Sequence, residues 1–254
     1  MKITFLGTGT SQGVPLISCA CKVCKSNDSK DKRLRTSILI ETKGKTFIID
    51  TGPDFRQQML REDVKKLDAV IFTHEHKDHT AGFDDIRAYN YIHKKKMDVY
   101  ASERVQEAIR REFAYIFSDF KYPGIPEINL HLLENKLTVI DGIDVLPIKV
   151  MHYKSPVFGF RLKDFTYITD ANYISETEKE KIKGTKILVI NALRREPHIS
   201  HFTLKQAIEI VEELNPERAY FTHISHQLGL HNDVQKELPS NIELAYDGLK
   251  IMLD

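Results

Sequence analysis

The sequence predicts an α/β (α+β) protein in which two mixed β-sheets pack face to face and carry helices on their outer faces, an αββα sandwich. Ser37 to Asp50 (SILIETKGKTFIID) reads strand, turn, strand, carboxylate, and Phe158 to Asp170 (FGFRLKDFTYITD) repeats that pattern. Each β-rich half is followed by segments of helical periodicity, whose apolar stripes must be buried on a sheet. The last third alternates strand and helix from residue 186 onward. No linker or low-complexity break interrupts the chain, so residues 1–254 are expected to form one domain.

The elements follow in order. Residues 2–6 make the first strand and empty into Gly7-Thr8-Gly9-Thr10-Ser11-Gln12-Gly13-Val14-Pro15, where glycines let the backbone turn sharply. That loop lacks the Lys-Ser/Thr ending of a phosphate-cradling Walker loop. Residues 36–41 and 46–49 form a hairpin about Lys43-Gly44, and 54–61 a helix. Residues 69–73 are a short buried strand. A helix over 83–96 ends in Lys94-Lys95-Lys96, a charge run suited to capping its negative end. A strand at Val99-Tyr100 and a helix over 102–118 come next. The aromatic stretch 113–126 reads as a lid or a contact between two copies of the chain, with burial in the core as the alternative. Strands at 145–150, 165–169, 186–191 and 218–222, a helix at 203–214, and a strand at 243–246 in a hairpin with 249–253 complete the chain.

Charge excludes some functions. Lys and Arg number 37 against 36 Asp and Glu, a net charge of +1, so no overall field draws the chain to nucleic acid or an anionic membrane. No apolar run approaches the ~18 residues of a membrane span. The start leads straight into a strand rather than a signal peptide. Three cysteines in a metal-like spacing argue for a reducing compartment, and a cytoplasmic protein is expected.

The chemistry concentrates in Thr73-His74-Glu75-His76-Lys77-Asp78-His79. At an extended strand end, residues i and i+2 point the same way, so His74 and His76 can grip one ion together. A turn through Lys77 would bring Asp78 and His79 round to a second ion. Imidazole and carboxylate at this density suit Zn²⁺, Fe²⁺ or Mn²⁺. Two metals need more ligands, again at strand ends, and His152, Asp170 and His223 each follow an apolar strand. Cys19-Ala20-Cys21-Lys22-Val23-Cys24 gathers three thiolates, one short of a tetrahedral zinc shell.

His74-x-His76-x-Asp78-His79 after a hydrophobic strand, with the Gly7–Pro15 loop, resembles the metallo-β-lactamase superfamily, and the cysteine run resembles its PhnP-like cyclic phosphodiesterases. The resemblance implies that His74, His76 and His152 hold one divalent ion (Zn or Mn) and Asp78, His79 and His223 the other, with Asp170 bridging. Asp78 is counted with the catalytic residues. Asp50 would orient the metal loop without ligating. His201, in Pro197-His198-Ile199-Ser200-His201, would be the general acid, and His226, with His231 in reserve, would close a structural zinc with Cys19, Cys21 and Cys24. Arg194 or Arg195 would offer a bidentate grip on phosphate.

The expected function is hydrolysis of a small cyclic phosphodiester, phosphoribosyl 1,2-cyclic phosphate-like or a cyclic nucleotide, by a hydroxide that two metals generate from shared water. The partner is then the small substrate, with no role for nucleic acid or membrane. A tRNA 3′-end endonuclease of the same superfamily is the alternative, and it calls for an RNA-gripping basic surface. A metal-binding protein without catalysis, the third reading, calls for replaced ligands.

Overall fold

A computed structural model of the chain describes residues 1–120 and 122–253, so Lys121 of the aromatic stretch lies outside the described residues. Backbone contacts divide the chain into two compact units. One holds Met1–Leu6, residues 37–134 and the C-terminal segment from Lys250; the other holds Gly7–Thr36 and Asn135–Leu249.

The first unit is built on a sheet of β1 (Lys2–Gly7), β2 (Ser37–Thr42), β3 (Lys45–Ile49), β4 (Ala69–Ile71), β5 (Met97–Ala101), β6 (Ile128–Leu132) and the C-terminal strand Lys250–Met252. The C-terminal strand sits beside β1, and β1 to β6 follow in sequence order. β2 and β3 are antiparallel, with Ile38 opposite Ile49, whereas β3 to β6 run parallel. Consecutive Phe47, Ile48 and Ile49 are all inaccessible, as expected of an inner strand buried on both faces. The helices are α1 (Phe55–Arg61), α2 (Lys77–Thr80), α3 (Arg87–His93) and α4 (Glu103–Glu112). Phe55, Phe83, Val105 and Ile109 pack with Ile48, Val70 and Val99 of the sheet in one core.

The second unit contains β7 (Thr138–Ile140), β8 (Ile143–His152), β9 (Ser155–Leu162), β10 (Phe165–Tyr167), β11 (Tyr173–Ile174), β12 (Ile187–Asn191), β13 (Arg218–Thr222) and β14 (Ile242–Leu244). Their order is β11-β8-β9-β10-β12-β13-β14, with β7 beside β8. Again a hairpin, β9–β10, hands over to parallel pairing from β10 through β14. The internal repeat in the sequence is thus a repeat of topology. Helices α5 (Glu176–Ile182), α6 (Leu204–Leu214) and α7 (His231–Gln235) complete the unit. Thr203 and Gln206 form a reciprocal capping box that starts α6, whose Ala207, Val211 and Leu214 pack with Leu188, Ile190 and Phe221.

Some elements differ from the sequence reading. The expected helix 83–96 is a 3₁₀ turn, Phe83–Ile86, followed by α3, and Lys94 ends it in a left-handed conformation. The expected helix 102–118 stops at Glu112 and continues as a 3₁₀ turn, Ala114–Phe117. The C-terminal hairpin is a correction: β14 pairs with β13, and Lys250–Met252 pairs with β1 of the other sheet. Residue alternation identifies a strand but not its partner. In the aromatic stretch Ile116 is buried, while Phe120 and Tyr122 are exposed.

A buried cation ties the second unit's first loop to its last. Arg33 donates from Nη1 to Thr8 Oγ1 (2.7 Å) and Ala245 O (2.5 Å), while Asp247 accepts from Thr8 Oγ1 and from the Leu34 amide. Its Nη2 lies 3.1 Å from His231 Nδ1. A guanidinium has only donors, so Nδ1 must offer its lone pair and the ring is neutral. Burial, reinforced by Arg33, pushes the His231 imidazole down to about 4. Its folded value lies below its unfolded one, so the stability it contributes is present above pH 6.5 and is lost as pH falls towards 4. Between pH 7 and 4.5 that loss is about 2.5 kcal/mol. Chemical denaturation at the two pH values should therefore show His231→Gln losing less stability than wild type by roughly that amount; parallel losses would dismiss the linkage.

Candidate metal centre

In the first unit β4 ends at Ile71, the chain bends at Thr73, and His76, extended with φ of −62° and ψ of 152°, precedes the single turn of α2. The expected turn through Lys77 is this helical turn, and it places Asp78 Oδ2 3.1 Å from His79 Nε2. His74 and His76 bring ring nitrogens within 4.8 Å of one another, their ring centroids 4.6 Å apart. Gly82 allows the loop to dock, because a Cβ there would stand 2.1 Å from the Gly52 carbonyl oxygen.

Asp50 organises this loop. Its buried carboxylate accepts from the Thr73 amide (2.8 Å) and hydroxyl (2.7 Å), and from His79 Nδ1 (2.7 Å). With its hydroxyl proton committed, Thr73 Oγ1 accepts from His74 Nδ1 at 3.0 Å. Both imidazoles are thereby fixed with the Nε2 lone pair outward, the tautomer a metal requires. Burial raises the Asp50 carboxyl, and the His79 and Thr73 contacts draw it back down.

The second unit contributes its own cluster. Asp170 and His223 both have left-handed backbones, φ 54° and 55°, just beyond the ends of β10 and β13. Asp170 Oδ1 lies 3.1 Å from His223 Nε2 and 3.0 Å from His201 Nε2, and Oδ2 accepts from Thr169 Oγ1 at 2.6 Å. Asn191, at the end of β12, pairs through its amide with both backbone groups of Ala171 and so pins the residue after Asp170. His152 ends β8 and donates from Nδ1 to Ser200 O (2.9 Å), again freeing Nε2 for a ligand role.

These spacings test the fit to metal. Donor atoms about 2.1 Å from one cation stand about 2.9–3.4 Å apart in octahedral or tetrahedral shells. The Asp78–His79 and Asp170–His223 separations fall in that range. A carboxylate oxygen facing an imidazole lone pair at such range is an arrangement a shared cation would satisfy.

His201 falls within the cluster rather than beside it. Its ring stacks on His223 (centroids 4.8 Å, 11° between planes), and its donor atom is grouped with those of His152 and Asp170 within 4.8 Å. Burial pushes its imidazole down to about 4, only partly countered by Asp170. Geometry therefore allows it a ligand role as well as the proton-transfer role expected from the sequence. His198 Nδ1 lies 3.0 Å from His201 Nδ1. The two loop arginines are engaged elsewhere: Arg194 with Gln227, Glu196 and Pro197, Arg195 with Glu237. Thr73, Asn191 and Ser200 hold the site by hydrogen bonding, and no spacing in the sequence marked them.

The cysteine site lies wholly in the second unit. Cys19 Sγ and Cys21 Sγ stand 3.6 and 3.3 Å from His226 Nδ1, against about 3.5 Å for the S–N edge of a tetrahedral zinc shell. Cys24 completes a group within 4.8 Å, and the cysteines are free. His226 and the Cys24 amide lower the Cys21 thiol to about 6, favouring the thiolate a metal binds, whereas burial raises Cys24 to about 11. His231, the reserve ligand, is occupied with Arg33.

A family model described as a β-lactamase superfamily domain matches residues 45–224. A crystal structure described as a new diphosphatase from the PhnP family superposes with a TM-score of 0.94 at 38% identity, covering 100% of this chain and 98% of that one. An octanoyltransferase of Porphyromonas gingivalis is 39% identical over 257 residues, all of this chain but 52% of the relative. The exodeoxyribonuclease WalJ of Streptococcus pneumoniae is 30% identical over 151 residues, 55% of this chain and 51% of that protein. The chain thus spans about half the length of these curated relatives. Fold and match place it in the metallo-β-lactamase superfamily. Within it, the chain belongs to the PhnP family.

Metal analysis should find one zinc per chain that survives mild chelation in wild type and is missing from Cys19→Ser. Equal zinc in both would remove the cysteine site.

Proposed function

We propose that the chain is a metal-dependent phosphodiesterase acting on a small cyclic phosphate ester at a dinuclear centre. His74, His76 and His152 would hold one divalent ion, Asp78, His79 and His223 the other, and Asp170 would bridge. The reading is carried by the pairing of a carboxylate with an imidazole at 3.1 Å twice over, at Asp78–His79 and Asp170–His223. Two divalent ions, Zn or Mn, would supply a water acidic enough to lose its proton near neutrality and would offset charge on the phosphoryl oxygens.

The chain's own residues do the rest. Asp50 and Thr73 keep His74 and His79 in the ligating tautomer, so little reorganisation accompanies reaction. His201, poised at Asp170, would pass a proton to the leaving alkoxide. Since both loop arginines are engaged in protein contacts, phosphate binding is assigned to the metal centre.

A second reading has support in the PhnP-family diphosphatase that resembles the chain, which directs attention to a phosphoanhydride. Attack at phosphorus is common to both. The tRNA 3′-end endonuclease is less well supported, because a net charge of +1 gives no field for a polyanion. No helix among the described residues is long and apolar enough to cross a membrane, and the three cysteines are free, which supports the cytoplasmic assignment. We further propose that the two units fold as one domain, since the chain passes between them four times, at residues 6–7, 36–37, 134–135 and 249–250.

Asp170→Ala should lower turnover of bis(p-nitrophenyl) phosphate by about 10³-fold or more while the protein stays folded. Near-wild-type turnover would remove the dinuclear centre. His201→Ala should reduce kcat by about 10²–10⁴-fold with metal content unchanged; loss of metal would make it a ligand instead. A panel of cyclic phosphate esters, pyrophosphate esters and pre-tRNA, run with Mn²⁺ and with Zn²⁺, should show the cyclic esters turned over fastest.

A further inference from the structure

Lys94, Lys95 and Lys96 follow α3, where cations usually serve the helix's negative end. They do not serve it here. Lys94 is itself the left-handed residue that ends the helix, and its ammonium lies over the Tyr91 ring, 4.2 Å from the centroid. Lys95 Nζ pairs with Asp98 at 3.6 Å. Among the described residues, the Lys96 ammonium has no recorded ion pair or hydrogen bond.

All three line a cavity of about 700 Å³ together with Arg87, Tyr91 and Glu127. Four cations thus face a single carboxylate, and Arg87 is already shared with Asp84 at 3.0 Å. The walls are fixed by one side chain. Asn90 Nδ2 donates to the carbonyls of Lys95 (2.8 Å) and Glu127 (2.9 Å), while Oδ1 accepts from the Glu127 amide (3.0 Å). Tyr91, 76% exposed at the rim, offers an aromatic surface that no core requires.

We propose that this groove binds the phosphate chain of a nucleoside di- or triphosphate, with the phosphates on Lys94, Lys96 and Arg87 and the base against Tyr91. Its volume suits one small ligand, and the chain's near-zero net charge argues against a longer polyanion. None of His74, His76, Asp78 or His79 lines it, so it is a second site that stands apart from the hydrolase reading.

Isothermal titration of the metal-loaded, full-length protein with ADP tests this. Wild type should show two binding events, one at the metal centre and one in the groove. K94A/K96A should lose the groove event, or weaken it about tenfold or more, with unchanged melting temperature and unchanged bis(p-nitrophenyl) phosphate turnover. Tyr91→Leu should weaken ADP but not inorganic pyrophosphate. No wild-type event that K94A/K96A loses or weakens, or sulfate binding the groove as tightly as ADP, would overturn the proposal, the last by showing a nonspecific counterion patch.

Discussion

A buried carboxylate just past the end of a central strand, its backbone held in the left-handed region, is the constraint on which each unit depends. Asp50 has φ 66° and Asp170 φ 54°. Each follows the strand at which antiparallel pairing gives way to parallel, β3 in one sheet and β10 in the other. At such a switch the neighbouring chains part, leaving room beyond the carboxyl ends of the strands. A left-handed aspartate costs on the order of 1 kcal/mol, and burying its charge costs more. Hydrogen bonds return part of this: three donors reach Asp50, and Thr169 and two imidazoles face Asp170. The two carboxylates then diverge in use. Asp50 spends its oxygens on fixing ring tautomers, whereas Asp170 turns one towards imidazole nitrogens.

The residues between the ligands of the metal loop have work of their own. Glu75 pairs with Arg104 at 2.5 Å and Lys77 with Glu112, at opposite ends of α4. Tyr115, just beyond, donates to Asp84, and Phe113 packs edge-on against Phe83 at 5.5 Å. Each ion pair is partly exposed and worth little alone. Four contacts from one helix and its extension nevertheless leave the loop few ways to shift, and ligand geometry is sensitive to shifts of a fraction of an ångström.

How much of this was legible depends on whether information lay in residue identity or in partnership. His74, His76, Asp78 and His79 could be read because they crowd into six positions, and Cys19, Cys21 and Cys24 for the same reason. Asp170 and His223 were found because each follows an apolar run, a local feature. The second hairpin could be read from its likeness to the first. Thr73 and Asn191 could not, since threonine or asparagine at a strand end is ordinary until the group it bonds is known. The C-terminal strand failed in the same way: Ile251 fits any sheet with a free edge, and its pairing with Ile3 is settled by the fold.

Charge economy gives the donor clusters their direction. Asp50 and Asp170 are almost wholly inaccessible, as are His74, His79 and His223. A fold that merely needed packing would fill these positions with apolar side chains at lower cost, since ionised groups removed from water are rarely repaid by their mutual attraction alone. His74 and His79 in one unit and His152 in the other are further directed, through Nδ1 hydrogen bonds, to a tautomer that presents a lone pair instead of a proton. At His79 the neutral ring's Nε2 lone pair and the Asp78 carboxylate oxygen, 3.1 Å apart, repel one another unless something positive sits between them. Protonated His79, donating to Asp50 and Asp78 at once, would meet that demand at one point only. Divalent cations satisfy that demand with the fewest additional groups, which ties the stability of this part of the fold to the same ions that would make it reactive.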